Sequence, residues 1–241
     1  MKYFLSLLFL PILFADQKQE ESLCKNREYI FKQSIAYHDP ANEWKTAILD
    51  LEIREPRVSV SNRFSNVDLD NNTGVFSLER SRGQRVSTHQ IDETGKASSL
   101  LDNETISDPE KIKEFFLEPE RNANYRGYYQ FFYGLPMNLT PDYASFKKIG
   151  EQSLNGQQVI SIDYELKKPM IAKTWRIFFS PEDYRIVGVQ TMDDEEGEYL
   201  IFNGEAKLGS MTVPRFRHWY DSREHTYLGS DILVNGTATN R

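Results

Sequence analysis

The segment Tyr125–Met137, YRGYYQFFYGLPM, constrains the fold more than any other part of this chain. Six of the nine residues from Tyr125 to Tyr133 are aromatic, and Gly134, Leu135 and Pro136 then stop the element that carries them. Rings of this size dominate burial energetics wherever they pack. Placed on a helix they fall on more than one stripe, which predicts an element contacted from several sides. A large sheet, or the wall of an apolar pocket, supplies that contact.

The flanking sequence reads as sheet. From Trp44 to about Asp102, Ala47, Leu49, Leu51 and Ile53 alternate with Ile48, Asp50, Glu52 and Arg54, the period of a half-buried strand. Residues 57–70, 75–81 and 84–92 repeat the style, separated by Glu55-Pro56, the run Asp70 to Gly74, Arg82-Gly83 and Glu93-Thr94-Gly95. From Ser145 strands resume, with Asn155-Gly156 as a hairpin signal. Between the two sets, Asp108 caps a helix with Pro109 at its first position, and Pro119 divides the helical insertion into two pieces. Another helix is expected from Gln17 to His38, ended by Asp39-Pro40, with positive charge on His38 complementing its C-terminus. The fold class is therefore α+β: a curved antiparallel sheet or half-barrel of about 10–11 strands. An N-terminal helix and a helical insertion cover its concave face. Residues 16–241 form one domain in this reading.

The first fifteen residues fit a secretory signal: Lys2, an apolar run from Tyr3 to Phe14, then Ala15 near the cleavage site. Cys24 is the only cysteine, so no internal disulfide supports the fold. A net charge of −7 without a basic block excludes the electrostatic footprint of a nucleic-acid binder. It also argues against tight docking on an anionic membrane.

Motifs for chemistry are sparse. His38, His89, His218 and His225 form no HExxH pair, and neither a CxxC nor a GxSxG is present. Asp68, Asp70, Asn72 and Glu79 imitate a calcium loop, but Thr73 stands where the sharp turn needs glycine. That segment reads as a hairpin turn, and the acidic run from Asp193 to Glu196 as an exposed loop. No catalytic residue, metal ligand or cofactor is assigned.

The combination AYHDP at Ala36–Pro40, Trp44, YYQFFYGLPM at Tyr128–Met137 and VPRFRHWYDSREHTYLGSDIL near the end resembles a group of exported bacterial proteins. These resemble in outline the lipoprotein-localisation carriers, LolA and LolB. The resemblance implies an antiparallel half-barrel with helices over an apolar concave side, and a precedent for lipid binding. The carriers' strand arginine has two candidate positions here, Arg215 and Arg217. The leading expectation is an exported, periplasmic or secreted, non-enzymatic protein that binds a lipid or acyl chain. Tyr125, Tyr129, Phe132, Tyr133 and Met137 would form the cover, and Ile160, Ile162, Trp175, Ile177 and Phe179 the sheet side. The alternatives are a secreted hydrolase using His218 or His38, and an envelope interaction or sensor module with a protein partner.

Overall fold

Twelve strands pair antiparallel in one open sheet in a computed structural model that describes residues 26–193 and 197–240. Five precede the helical insertion: β1 (Ala47–Glu55), β2 (Arg63–Asp70), β3 (Phe76–Arg82), β4 (Arg85–Ile91) and β5 (Ala97–Leu101). Seven follow it: β6 (Ala144–Leu154), β7 (Gln157–Met170), β8 (Ala172–Phe179), β9 (Ile186–Thr191), β10 (Glu198–Leu208), β11 (Met211–Asp221) and β12 (Tyr227–Asn240). Two meanders therefore run outward from a central seam, in the order β5-β4-β3-β2-β1-β12-β11-β10-β9-β8-β7-β6. The seam pairs β1 with β12 from Ala47↔Asn240 to Arg54↔Ile232. Twelve strands stand where ten or eleven are expected. The stretch from Arg57 to Asn62 does not extend β2 as its Val-Ser-Val-Ser alternation suggests. It is a loop, held by the Asn62 side chain accepting from the Arg57 N–H at 2.9 Å, with Val58 and Val60 exposed.

The helices are α1 (residues 26–38), α2 (Pro109–Phe115) and α3 (Arg121–Gly134). Asp108 caps α2 by accepting from the Glu110 N–H at 3.0 Å. The N-terminal part of the expected first helix, Cys24, the segment expected to be a secretory signal and Asp194 to Glu196 lie outside the described residues.

Contacts along α3 show how strongly the sheet bends. Asn122 donates to the carbonyls of Gln90 on β4 and Ser98 on β5, at 3.0 and 2.7 Å. Phe131, later on the same helix, packs on Trp175 of β8 with ring centroids 4.9 Å apart. Those nine residues of helix rise only about 13 Å. In a flat sheet the eight inter-strand steps from β4 to β8 would span about 38 Å. The sheet closes that gap by curving around α3, which lies on its concave face.

The distinctive motifs are the joints of this arrangement. Asp39 accepts from the N–H groups of Glu43 and Trp44 at 2.8 and 3.0 Å, fixing the short helical turn Trp44–Thr46. The Trp44 indole then lies against Gly134: a Cβ there would come within 2.3 Å of the ring. Beyond it, the Asn138 side-chain amide donates to the Gln130 carbonyl at 2.9 Å, capping the end of α3. His38 departs from expectation. It is buried, its Nδ1 donating to the Thr212 carbonyl at 2.7 Å and its Nε2 accepting from the Ile186 N–H at 3.0 Å. Burial lowers its pKa, so it ties α1 to β9 and β11 as a neutral ring rather than as helix-end charge.

Candidate ligand-binding site

The concave stripes of β1 to β3 are apolar over most of their length and become charged at one end. On β1 the series Leu49, Leu51, Ile53 continues into Glu55; on β2, Leu69 and Val67 give way to Ser65 and Arg63; on β3, Phe76 and Leu78 lead to Arg80. Register places Glu55 directly opposite Arg63, and Ser65 opposite Arg80. Glu55, 1 % exposed, is held by Arg63 Nε at 2.8 Å and Arg80 Nη2 at 3.3 Å. Arg80 also donates to Ser65 at 3.0 Å and to the Tyr129 hydroxyl at 2.8 Å, linking the network to α3. Burial pushes the Tyr129 phenol up to about 12.

A second ion pair faces it across the seam. Arg57 pairs with Asp231 of β12, which also accepts from the Tyr128 hydroxyl at 2.7 Å and from Trp219 Nε1 at 3.0 Å. Burial alone would raise the Asp231 pKa. The Arg57 charge and these three donors outweigh it, so the carboxyl sits below its ordinary range. Glu198, at the start of β10, shifts upward through burial and the nearby Asp221 and Asp231, against the pull of Arg57.

Between α3 and this end of the sheet lies a cavity of about 560 Å³. The two ion-paired groups form one wall, through Glu55, Arg57, Arg63 and Arg80. Tyr125, Tyr128, Trp219, Met170, Ile171 and Leu228 form the other. Ile171 is the tip of the β7–β8 hairpin, 62 % exposed and at φ 62°. A β-branched residue there carries backbone strain of about 1–2 kcal/mol. Neither burial nor turn preference favours isoleucine at that place, which is the mouth of the cavity.

Of the ten residues expected from sequence to surround a ligand, Tyr125 lines this cavity. Tyr129, Phe132, Tyr133 and Met137 are buried beside it between α3 and the sheet, and Ile162, Trp175, Ile177 and Phe179 are buried on β7 and β8. Ile160 is partly buried and borders a smaller cavity under α1, with Ile30 and Ile149. Glu55, Arg57, Arg63, Arg80 and Asp231 were missed. The signal was present in LDLEIRE, where one more step of the alternation after Ile53 reaches Glu55. Of the two candidate strand arginines, Arg215 is exposed. Arg217 is buried under α3, stacked 4.0 Å from the Tyr133 ring centre and donating to the Phe132 carbonyl at 3.3 Å.

The histidines proposed for a hydrolase are placed differently. His38 has both ring nitrogens committed to backbone, as described above. His218 shares a hydrogen bond with Ser230 Oγ at 2.7 Å, and Ser230 with the Tyr227 hydroxyl at 2.6 Å. They lie on the opposite face of the sheet from Trp219 and the cavity. Burial alone lowers the His218 pKa, with no carboxylate contributing. Among the described residues no group of three or more His, Cys, Asp or Glu is placed to hold a metal ion. No helix among them is long and apolar enough to cross a membrane.

Among solved structures, the chain is similar to LolA superfamily protein NE2245 from Nitrosomonas europaea, at 6% identity and a TM-score of 0.48, over 87% of this chain and 91% of that one. A DUF1329 family protein from Desulfovibrio piger matches at 8% identity and a TM-score of 0.49, over 87% and 92%. MucB in complex with MucA(peri) matches at 7% identity and a TM-score of 0.23, over 88% and 55%. A search of the curated proteins finds no match. A family model matches residues 2–236, and the chain belongs to that family, the Family of unknown function (DUF6503).

Proposed function

We propose that this chain is an exported, non-enzymatic binding protein of the cell envelope that holds a lipid or another ligand with an apolar chain in the cavity between α3 and the sheet. The observation that carries this reading is the cavity itself, whose volume falls within the range of small-molecule sites. One wall is aromatic and aliphatic, and Ile171 is exposed at its mouth. Each methylene moved from water onto that wall contributes about 0.8 kcal/mol. Eight of them give roughly 6 kcal/mol, enough to exceed the lower estimates of the association cost, about 4 kcal/mol. The apolar run from Tyr3 to Phe14 supports export. Most rings of the aromatic segment serve as packing that holds α3 in place, and Tyr125 and Tyr128 are the pair that meets a ligand.

Native mass spectrometry of the purified protein, followed by solvent extraction, tests the proposal. A bound lipid, or a rise in melting temperature with medium-chain amphiphiles, is the expected result. Protein that carries no lipid and whose melting is unchanged by such amphiphiles would refute it.

A further inference from the structure

One arginine of the cavity wall differs from the other two in its partners. Arg57 is matched by Asp231, and Arg80, 6 % exposed, is matched by Glu55. Arg63 shares that same carboxylate and touches it through Nε. Its two terminal nitrogens make no hydrogen bond among the described residues, and its side chain is 25 % exposed on the cavity wall. Two guanidinium groups thus stand against one carboxylate, and the outer one, part of the cavity lining, keeps a donor pair that no described residue uses. Glu198, the remaining acid on the wall, feels Arg57, Asp221 and Asp231, and Arg63 is not among the charges that shift it, so its charge belongs to the Arg57 side of the wall. A surplus cation beside low-dielectric walls attracts an anion, and the planar fork of arginine suits the two oxygens of a carboxylate or phosphate.

Resting on the cavity as a ligand site, we infer that its ligand is an anionic amphiphile. A carboxylate or phosphate monoester head would be bound by the terminal nitrogens of Arg63. An apolar chain would lie along Trp219, Met170, Ile171 and Leu228. The head replaces the water around Arg63 and brings the cluster of Glu55, Arg63 and Arg80 to electrical balance. Neutral chains of equal length gain the same desolvation and lack the ionic contact. The apolar wall thus provides affinity, and Arg63 discriminates among head groups.

The test compares dodecanoate, dodecyl phosphate and dodecanol at pH 8, below their micellar concentrations, on the full chain and on Arg63→Gln. Isothermal titration is the readout, with melting curves to verify that the variant folds. At least one anionic probe is expected to bind about tenfold or more tightly than dodecanol, the worth of one charge-assisted hydrogen bond. In Arg63→Gln the preference should disappear while dodecanol binding stays within about twofold; which anion is preferred identifies the head group. Equal binding of all three probes to the wild-type chain overturns the inference and leaves the cavity reading intact. An anion preference that survives in Arg63→Gln overturns the assignment to Arg63. Failure of all three to bind overturns both. The wild-type comparison decides the head-group question even where the variant does not fold.

Discussion

His89 offers a quantitative test of how α3 is docked. The ring is fully buried beneath the helix, with Nδ1 3.2 Å from Asn122 Oδ1 and Nε2 3.1 Å from Ser87 Oγ. Asn122 spends its amide N–H groups on the carbonyls of Gln90 and Ser98, so its oxygen must accept. That puts a proton on His89 Nδ1, and in the neutral ring Nε2 is then the acceptor facing Ser87 Oγ. Burial, followed by repulsion from Arg80, lowers its pKa from 6.5 to about 4. The unfolded chain binds a proton near 6.5 and the folded one near 4, so the unfolded state holds more protons in between. Stability is therefore fully present above 6.5 and declines as pH falls through that window. From pH 7.5 to pH 5 the loss from His89 alone is about 2 kcal/mol. Urea unfolding of the wild type and of His89→Gln at four pH values across this interval measures it. His38, buried and likewise lowered, contributes to both proteins and cancels in the difference. The variant should lose about 2 kcal/mol less than the wild type. An identical pH dependence in the two proteins would refute the argument that His89 is held neutral.

Three further outcomes follow from particular contacts. Glu55→Ala strands Arg80 in a site where it is 6 % exposed and should cost about 3–5 kcal/mol in urea unfolding. Gly134→Ala forces a Cβ into the Trp44 indole and should cost about 1–3 kcal/mol. In a Trp44→Ala background the same change should be close to neutral, so a cycle without coupling would show that the contact is absent. Ile171→Gly relieves the left-handed strain and should leave stability unchanged or raise it by up to about 1 kcal/mol. The same variant should weaken dodecanoate binding severalfold by titration, and unaltered binding would remove Ile171 from the site.

Local patterns carried much of the architecture into the sequence. Alternation marks β1, Asn155-Gly156 marks the β6–β7 turn with both residues at positive φ, and Asp108-Pro109 marks the start of α2. These signals depend on neighbours within a few residues. The seam of β1 with β12 has no such signal, because its partners come from opposite ends of the described chain. The same limit hid most of the site. Glu55 reads as part of the Glu55-Pro56 turn until Arg63 and Arg80 are known to lie beside it. Asp231 becomes a buried anion only once Arg57, Tyr128 and Trp219 converge on it from three other elements. The Val-Ser-Val-Ser loop misleads for the opposite reason: its period is that of a strand, and only tertiary context limits its pairing to the single bridge of Arg57 with Gly229 and the Val58 N–H bond to the Leu228 carbonyl.

The placement of the seam has a consequence for assembly. With β1 and β12 in the middle, the first five strands and the last seven each end in a bare inner edge until they meet. Arg57 lies just past the end of β1, and its counter-ion Asp231 is on β12. An N-terminal fragment that includes β1 to β5 would thus expose the long β1 edge to other chains and would leave Arg57 without its counter-ion. Synthesis interrupted before β12 should yield a sticky product with an incomplete cavity, and restoring that strand in trans as a peptide should mend both defects together.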